Sequence, residues 1–149
     1  MHDRIIADTS VLIALEKINL LDLLCKIYKE VIIPEGVLKE FGSINLGCFS
    51  TKSVDSKLVN FFIKEMNLGR GEAEVIALSY NTGIPVLIDD LRARKLADEI
   101  GLTVSGTIGV LMKAQKMGII ESALEKVLEL KKMGFYISDE IIRHISRFD

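Results

Sequence analysis

The sequence is poor in the residues that a zinc site or a disulfide framework requires. It contains 2 cysteines and 2 histidines in 149 residues. Cys25 and Cys48 stand 23 residues apart, and His2 and His144 lie at opposite ends of the chain, so no zinc-ligand spacing occurs. We expect both thiols to be reduced, in buried or incidental positions. Any metal bound by this chain is therefore expected to have oxygen ligands.

Long apolar runs and an excess of positive charge are also missing. The longest apolar runs have about five residues, whereas a membrane-spanning helix needs roughly 20, and the chain starts in a strand rather than in a signal peptide. It has 19 Lys and Arg against 21 Asp and Glu, which excludes a strongly basic nucleic-acid-binding surface. No glycine-rich phosphate-binding loop occurs. We expect a cytoplasmic protein without a membrane segment.

Apolar residues, at 49% of the chain, suffice for one packed core, and residues 1–149 are predicted to form a single domain. The segment 42–54 is predicted as a loop with room for a short strand. Strands are predicted at 3–8, 31–33, 85–88 and 102–104. Helices are predicted at 10–17, 20–28, 35–41, 55–65, 72–81, 91–100, 106–117, 120–133 and 138–146. This alternation indicates the α/β class, as a three-layer α/β/α sandwich around a short parallel sheet.

Two of the predicted strands run straight into aspartate. Ile5, Ile6 and Ala7 precede Asp8, and the strand 86–88 precedes Asp89 and Asp90. Because the carboxyl ends of parallel strands lie at one edge of the sheet, these carboxylates are expected to meet there. Carboxylates held close together raise one another's pKa unless a cation binds between them. A hard divalent metal with oxygen ligands removes that repulsion, so the pattern predicts a small acidic metal site.

The residues beside these aspartates allow a functional and a structural interpretation. The hydroxyls of Thr9 and Ser10 can steady a carboxylate or a metal-bound water molecule, but Asp8 or a hydroxyl beside it can equally cap the helix that follows. One of Asp89 and Asp90 is expected to cap the next helix. Since a cap needs only one carboxylate, the other is a candidate site residue.

Three glutamates on the predicted helices are further candidates. Glu40 lies in the last turn of its helix, where the macrodipole disfavours a negative charge by roughly 0.3–1 kcal/mol, although an exposed, solvated side chain would tolerate this. Glu72 lies in the first turn of its helix, where the dipole favours it. Glu74 borders the other side of the same apolar stripe, so Glu72 and Glu74 cannot both point equally well into one site. The sequence leaves this choice open.

Candidates for contact with a phosphate or a nucleic acid follow the second aspartate pair. Thr107 opens a helix after a strand end, and a helix N-terminus favours phosphate. Arg92, Arg94 and Lys95 follow Asp90 and can meet a nucleic-acid backbone, or they can simply form the solvated face of their helix.

In the order and spacing of these acids the chain resembles the PIN-domain family, within the superfamily of VapC-like toxin ribonucleases. The resemblance rests on Asp8-Thr9-Ser10 after the first strand, on Glu40 after the second strand, and on Glu72 eighteen residues before Asp90. The stretches 69–74 (GRGEAE) and 106–110 (GTIGV) resemble one prokaryotic branch of the family. The likeness extends from residue 4 to about residue 145.

The resemblance implies a metal-dependent ribonuclease that uses Mg²⁺ or Mn²⁺, often the toxin of a toxin–antitoxin pair. Its acidic quartet falls on Asp8, Glu40, Glu72 and Asp90. The family's third acid is usually aspartate, and the longer Glu72 can change the metal geometry. A different class of function stays open: a non-catalytic nucleic-acid-binding or protein-interaction module with a degenerate acidic site.

The helices predicted within residues 106–133 are rich in apolar side chains. If these exceed what the small sheet can cover, a homodimer or an antitoxin-like partner is expected; if not, they belong to the core. The residues concerned are Ile108, Val110, Leu111, Met112, Met117, Leu124, Val127, Leu128 and Leu130.

Overall fold

The computed structural model describes residues 2–148, in which strands and helices alternate along the chain. The strands are β1 His2–Ala7, β2 Tyr28–Pro34, β3 Phe49–Lys52, β4 Val86–Leu87 and β5 Val104–Ser105. The helices are α1 Thr9–Lys17, α2 Leu23–Ile27, α3 Glu35–Phe41, α4 Ser56–Met66, α5 Arg70–Thr82, α6 Leu91–Glu99, α7 Thr107–Lys116, α8 Ala123–Lys132 and α9 Asp139–Ser146. None of the helices within this part of the chain has the length and apolar character needed to cross a membrane.

The five strands form one sheet in the order β3-β2-β1-β4-β5, and every neighbouring pair is parallel. This confirms the predicted α/β sandwich. The chain moves outward from β1 to β2 and β3, then returns to place β4 on the other side of β1. The strand order therefore reverses between β1 and β4, and open parallel sheets bind ligands beyond the carboxyl ends of the strands at such a point.

The core lies on both faces of this sheet. Ile6, Ile32 and Leu87 are completely buried, as expected for strands covered by helices on each side. Most of the apolar residues on α7 and α8 also belong to the core: Val110, Leu111, Val127 and Leu130 are buried, and Ile108, Met112 and Leu124 pack against them. Met117 and Leu128 remain exposed.

Most predicted elements form within a few residues of the expected bounds, and the differences have local causes. The predicted helix 20–28 is reduced to α2, because Asn19 adopts a left-handed backbone conformation (φ 57°) and a turn follows it. Helix α5 begins at Arg70 rather than at Glu72, because the Glu72 carboxylate accepts a hydrogen bond from the amide of the N-cap residue Gly69. The short strand allowed for in segment 42–54 is β3.

The expectation that Cys25 and Cys48 are reduced is wrong. The two residues form a disulfide, with their Cα atoms 5.6 Å apart, a separation within the usual range for such bonds. Helix α2 leads directly into β2, and Cys48 lies beside that strand, where its carbonyl accepts a hydrogen bond from the Val31 amide at 2.9 Å. The pairing of β2 with β3 thus brings the cysteines together, and their spacing in the sequence gives no sign of it.

Candidate active site

The carboxyl ends of β1 and β4 bring the aspartates of the two strands to one edge of the sheet. Ala7 is in register with Leu87, and the Asp8 amide donates to the Leu87 carbonyl at 3.0 Å. Asp89 and Asp90 follow one residue beyond β4. The expected meeting of the two strand ends is therefore present, at the point where the strand order reverses.

Asp8 is the deepest carboxylate at this edge. Its side chain is 3% exposed, and although Asp8 is the N-cap residue of α1, it makes no side-chain capping hydrogen bond. The pKa of Asp8 is raised from 3.8 to about 7, and burial is the largest cause; the Thr9 amide lowers it, and the charges of Glu72, Glu40 and Asp89 contribute to the rise. Capping does not account for Asp8, whose ionised form is destabilised by its surroundings.

Glu72 is half-buried and interacts electrostatically both with the buried Asp8 and with the exposed Glu40 and Asp90. Burial is the largest cause of its raised pKa, and the Gly69 amide, which donates to Oε1 at 3.2 Å, opposes this. The charge of Asp90, a side-chain hydrogen bond with Asp90 and the charge of Glu40 also raise the pKa of Glu72. Glu72 therefore lies among the other acids, as the sequence allowed.

Glu40 is exposed, but both of its carboxylate oxygens are held. Oε2 accepts from the Thr9 hydroxyl and Oε1 accepts from the Gly71 amide, each at 3.2 Å. The amide belongs to the first turn of α5, so the N-terminus of that helix compensates for the unfavourable C-terminal end of α3. Thr9 thus steadies a carboxylate, that of Glu40.

Asp89 and Asp90 have different partners. Asp90 caps α6 by accepting from the Ala93 amide at 2.9 Å. Asp89, which capping leaves unexplained, accepts from the Thr107 amide at 2.8 Å and from the Thr107 hydroxyl at 2.5 Å. Both donors of Thr107 are therefore engaged with Asp89, and the N-terminus of α7 is held against the end of β4.

The structure separates Glu74 from Glu72. Glu74 is 6% exposed and accepts from the Gly36 amide in α3 at 2.9 Å, with Arg70 at 3.5 Å. It is not among the main causes of the raised pKa of Asp8 or of Glu72. Five carboxylates remain together at the sheet edge, and we call them the acidic cluster: Asp8, Glu40, Glu72, Asp89 and Asp90.

The three predicted basic residues also differ. Arg94 is half-buried and donates to the Ile88 carbonyl at 2.9 Å, which ties α6 to the end of β4. Arg92 is exposed and donates to the Asn67 carbonyl at 3.1 Å. Lys95 is exposed. Arg92 and Lys95 are thus the two whose charge faces solvent next to the cluster.

The carboxylate oxygens of the acidic cluster suit a divalent cation that keeps some of its water ligands better than one that is coordinated entirely by protein atoms. Among the side chains of residues 4–148, no three His, Cys, Asp or Glu residues are arranged as a metal-binding group, and no ion pair involves a member of the cluster. Mg²⁺ commonly keeps several water ligands and binds through one or two carboxylates. The buried hydroxyl of Ser10, two residues after Asp8 in the sequence, has no hydrogen-bond partner within the described chain.

Sequence reasoning missed three glycines that shape the site. A Cβ atom on Gly71 would overlap the Glu40 carboxylate, and one on Gly106 would overlap the Asp89 carboxylate and lie 2.7 Å from the Arg94 guanidinium. A Cβ atom on Gly36 would overlap Glu74. Gly71 and Gly106 were both visible as glycines at helix starts, but only the packing shows that each makes room for a carboxylate.

Comparisons with known proteins agree with this fold. A family model described as a PIN domain matches residues 4–148. The crystal structure of PAE2754 from Pyrobaculum aerophilum is similar in fold, with a TM-score of 0.55 and 14% sequence identity over 74% of this chain and 88% of that chain. No curated protein matches the chain significantly. Because the family model spans nearly the whole sequence, this protein belongs to the PIN-domain family, which has a nuclease-type fold.

Proposed function

We propose that this protein is a metal-dependent endoribonuclease whose active site is the acidic cluster. One observation carries the proposal: five carboxylates meet at the reversal point of the sheet, and the deepest of them, Asp8, has no cationic partner within the described chain. Such an arrangement costs free energy in the absence of a cation. Its persistence in the fold is best explained by a bound divalent metal.

Asp8 and Asp90 are proposed as the main ligands of Mg²⁺ or Mn²⁺, with Glu40 and Glu72 completing the set directly or through water. When bound, the ion supplies Lewis acidity at the phosphodiester and lowers the pKa of a water ligand. In the metal-free protein the pKa values of Asp8 and Glu72 are both raised. Because Asp8 would bind the ion as a carboxylate, Glu72 is the residue suited to accept a proton from that water when it is not itself a direct ligand. Because Glu40 and Asp90 are exposed, they form the open side from which RNA enters.

The residues around the cluster orient these groups. Thr9 holds Glu40, and Thr107 holds Asp89. We propose that the free Ser10 hydroxyl positions water or a phosphate oxygen. Arg92 and Lys95, exposed on α6 just beyond Asp90, are proposed to contact the RNA backbone, which supplies the local positive charge that the composition lacks.

A cleavage assay with purified protein tests this proposal. Labelled RNA is incubated with Mg²⁺, Mn²⁺ or EDTA, and the wild type is compared with Asp8→Asn and Asp90→Asn. Cleavage is expected only with metal and is expected to fall by about 100-fold or more in both variants, the scale expected when metal catalysis is lost. Asp139→Asn is the matched control, because Asp139 is 82% exposed on α9 and pairs only with Lys131.

Cleavage that persists in EDTA or in both variants would show that the acidic cluster is not the active site. RNA binding without cleavage by the pure wild type would instead favour the non-catalytic module. This second candidate keeps the same fold and differs only in the chemistry of the site.

We also propose a partner for the α7–α8 side of the protein. Met117, Leu128 and Met133 are 42%, 40% and 55% exposed, respectively, and lie on or directly after these helices. Their apolar surface favours a homodimer, with an antitoxin as the second candidate if the protein is a toxin. Sedimentation equilibrium of the pure protein distinguishes them, since a monomer at all concentrations would exclude the homodimer.

A further inference from the structure

Both ends of α3 are joined to the N-terminal half of α5 by contacts between a carboxylate and a glycine amide. Glu74 of α5 accepts a hydrogen bond from the Gly36 amide in the first turn of α3, at 2.9 Å. At the other end, Glu40 in the last turn of α3 accepts from the Gly71 amide in the first turn of α5, at 3.2 Å. Each helix thus supplies an acceptor for N-terminal amides of the other that have no partner within their own helix.

The contact at Gly36 replaces a cap that α3 lacks. Pro34 occupies the N-cap position and offers no side-chain acceptor, so the amides of the first turn need a partner from elsewhere. The buried Glu74 carboxylate provides it, and a negative charge is favoured at that end of a helix. The Glu74 carboxylate therefore binds the first turn of α3 and lies outside the acidic cluster, although Glu74 is only two residues from Glu72 in the sequence.

Both contacts depend on the absence of a side chain. A Cβ atom on Gly36 would overlap the Glu74 carboxylate, with Cδ at 2.8 Å, and a Cβ atom on Gly71 would overlap the Glu40 carboxylate, with Cδ at 3.2 Å. The four residue steps from Gly36 to Glu40 span about 6 Å of helix. Over so short a distance α3 moves as one body, so a shift of its first turn also moves Glu40.

We propose that Glu74 is a positioning residue: by holding the first turn of α3 against α5, it sets where Glu40 lies in the acidic cluster. This inference rests on the proposed function, since the position of Glu40 matters to catalysis only if the cluster binds a metal. Glu40 belongs to α3. Its exposed carboxylate accepts hydrogen bonds of 3.2 Å from Thr9 in α1 and Gly71 in α5, so a shift of α3 changes both contacts. Glu74 acts through this helix and does not contact the metal.

Three variants separate positioning from stability. Glu74→Ala removes the acceptor for the Gly36 amide, and Glu74→Gln keeps an oxygen in its place. Ser79→Ala is the matched control, because it removes a buried hydrogen bond of 2.6 Å to the Ile84 carbonyl near the other end of α5. Glu74→Ala and Ser79→Ala are both expected to destabilise the fold, and only the former is expected to disturb Glu40.

The first measurement is hydrogen exchange of the Gly71 amide in the metal-free protein. This amide lies in the first turn of α5, so its protection reports the contact with Glu40. Exchange is expected to be about fivefold faster in Glu74→Ala than in the wild type or in Ser79→Ala, the scale of one lost hydrogen bond. In Glu74→Gln it is expected to stay within about twofold of the wild type, because the acceptor is retained.

The second measurement is the dissociation constant of Mn²⁺, followed by electron paramagnetic resonance. Glu74→Ala is expected to weaken binding about 10-fold or more, as losses beyond the direct metal ligands commonly do. In the Glu40→Ala background the same change is expected to have less than about a twofold effect, because the residue through which Glu74 acts is gone. RNA cleavage should follow the Mn²⁺ results.

The inference would be overturned if Glu74→Ala and Ser79→Ala lost Mn²⁺ affinity equally. It would also be overturned if Glu74→Ala weakened Mn²⁺ binding as much in the Glu40→Ala background as in the wild type. If Glu74→Ala does not fold, Gly36→Ala displaces the same carboxylate while keeping its charge, and the same changes are expected. If the wild type binds no Mn²⁺, the proposed function is wrong, and Gly71 exchange alone decides the positioning role. Unchanged exchange would then reject it.

Discussion

Replacing Asp8 by asparagine is expected to make the metal-free protein more stable at neutral and alkaline pH. The substitution keeps the size of the side chain and removes the buried charge. The rise of the Asp8 pKa from 3.8 to about 7 corresponds to roughly 4 kcal/mol, at about 1.4 kcal/mol per pH unit. This is the scale of the free-energy cost of ionising Asp8 in the folded protein without a cation.

The direction of the pH dependence follows from the same rise. Because the pKa of Asp8 is higher in the folded than in the unfolded chain, the folded protein binds the proton more tightly between about pH 4 and pH 7. Its free energy of unfolding should therefore fall as the pH rises through this window and level off above it. In Asp8→Asn this contribution is absent, so the two proteins should differ little at pH 4 and by up to roughly 4 kcal/mol at pH 8.

Urea unfolding in EDTA, followed by circular dichroism at several pH values, measures this difference. Asp139→Asn serves again as the control, since its exposed carboxylate should leave the pH profile unchanged. Adding Mn²⁺ at 100 times its dissociation constant should stabilise the wild type by about 2.7 kcal/mol and Asp8→Asn much less. If Asp8→Asn is no more stable than the wild type at pH 8 in EDTA, Asp8 does not carry a buried charge and the argument for a cation fails.

Two further changes test the framework around the site. Replacing Cys25 and Cys48 together by serine should lower the free energy of unfolding by about 3 kcal/mol, because the disulfide joins residues 23 positions apart and so restricts the unfolded chain. An equal urea midpoint for the variant and the oxidised wild type would contradict this. Thr107→Val keeps the shape of a buried residue and removes the hydroxyl donor to Asp89. A loss of about 1.5–3 kcal/mol in urea unfolding is expected for a hydrogen bond to a charged group, and an unchanged stability would show that the Thr107 amide alone holds Asp89.

Several features of the site were predictable because they depend on local order along the chain. Asp8 and Asp89 each follow an apolar strand, and parallel strands share one edge for their carboxyl ends, so the meeting of these residues required only the fold class. The roles proposed for the quartet stay predictions. The choice between Glu72 and Glu74 was not predictable, since both border one apolar stripe and only the packing of α3 against α5 assigns Glu74 to Gly36.

The sequence by itself determined the alternation of apolar strands with amphipathic helices, and this alternation specifies a parallel sheet. It also determined the edge of the sheet at which the acids lie, because the residue that follows a strand is a local property of the chain. Tertiary structure alone decided the pairs that are distant in the chain: the Cys25–Cys48 disulfide, the contact of Thr107 with Asp89, and the two carboxylate–glycine contacts between α3 and α5. These depend on which elements become neighbours and at what distance. Hydrophobic periodicity shows which face of an element is buried, but not which partner it meets.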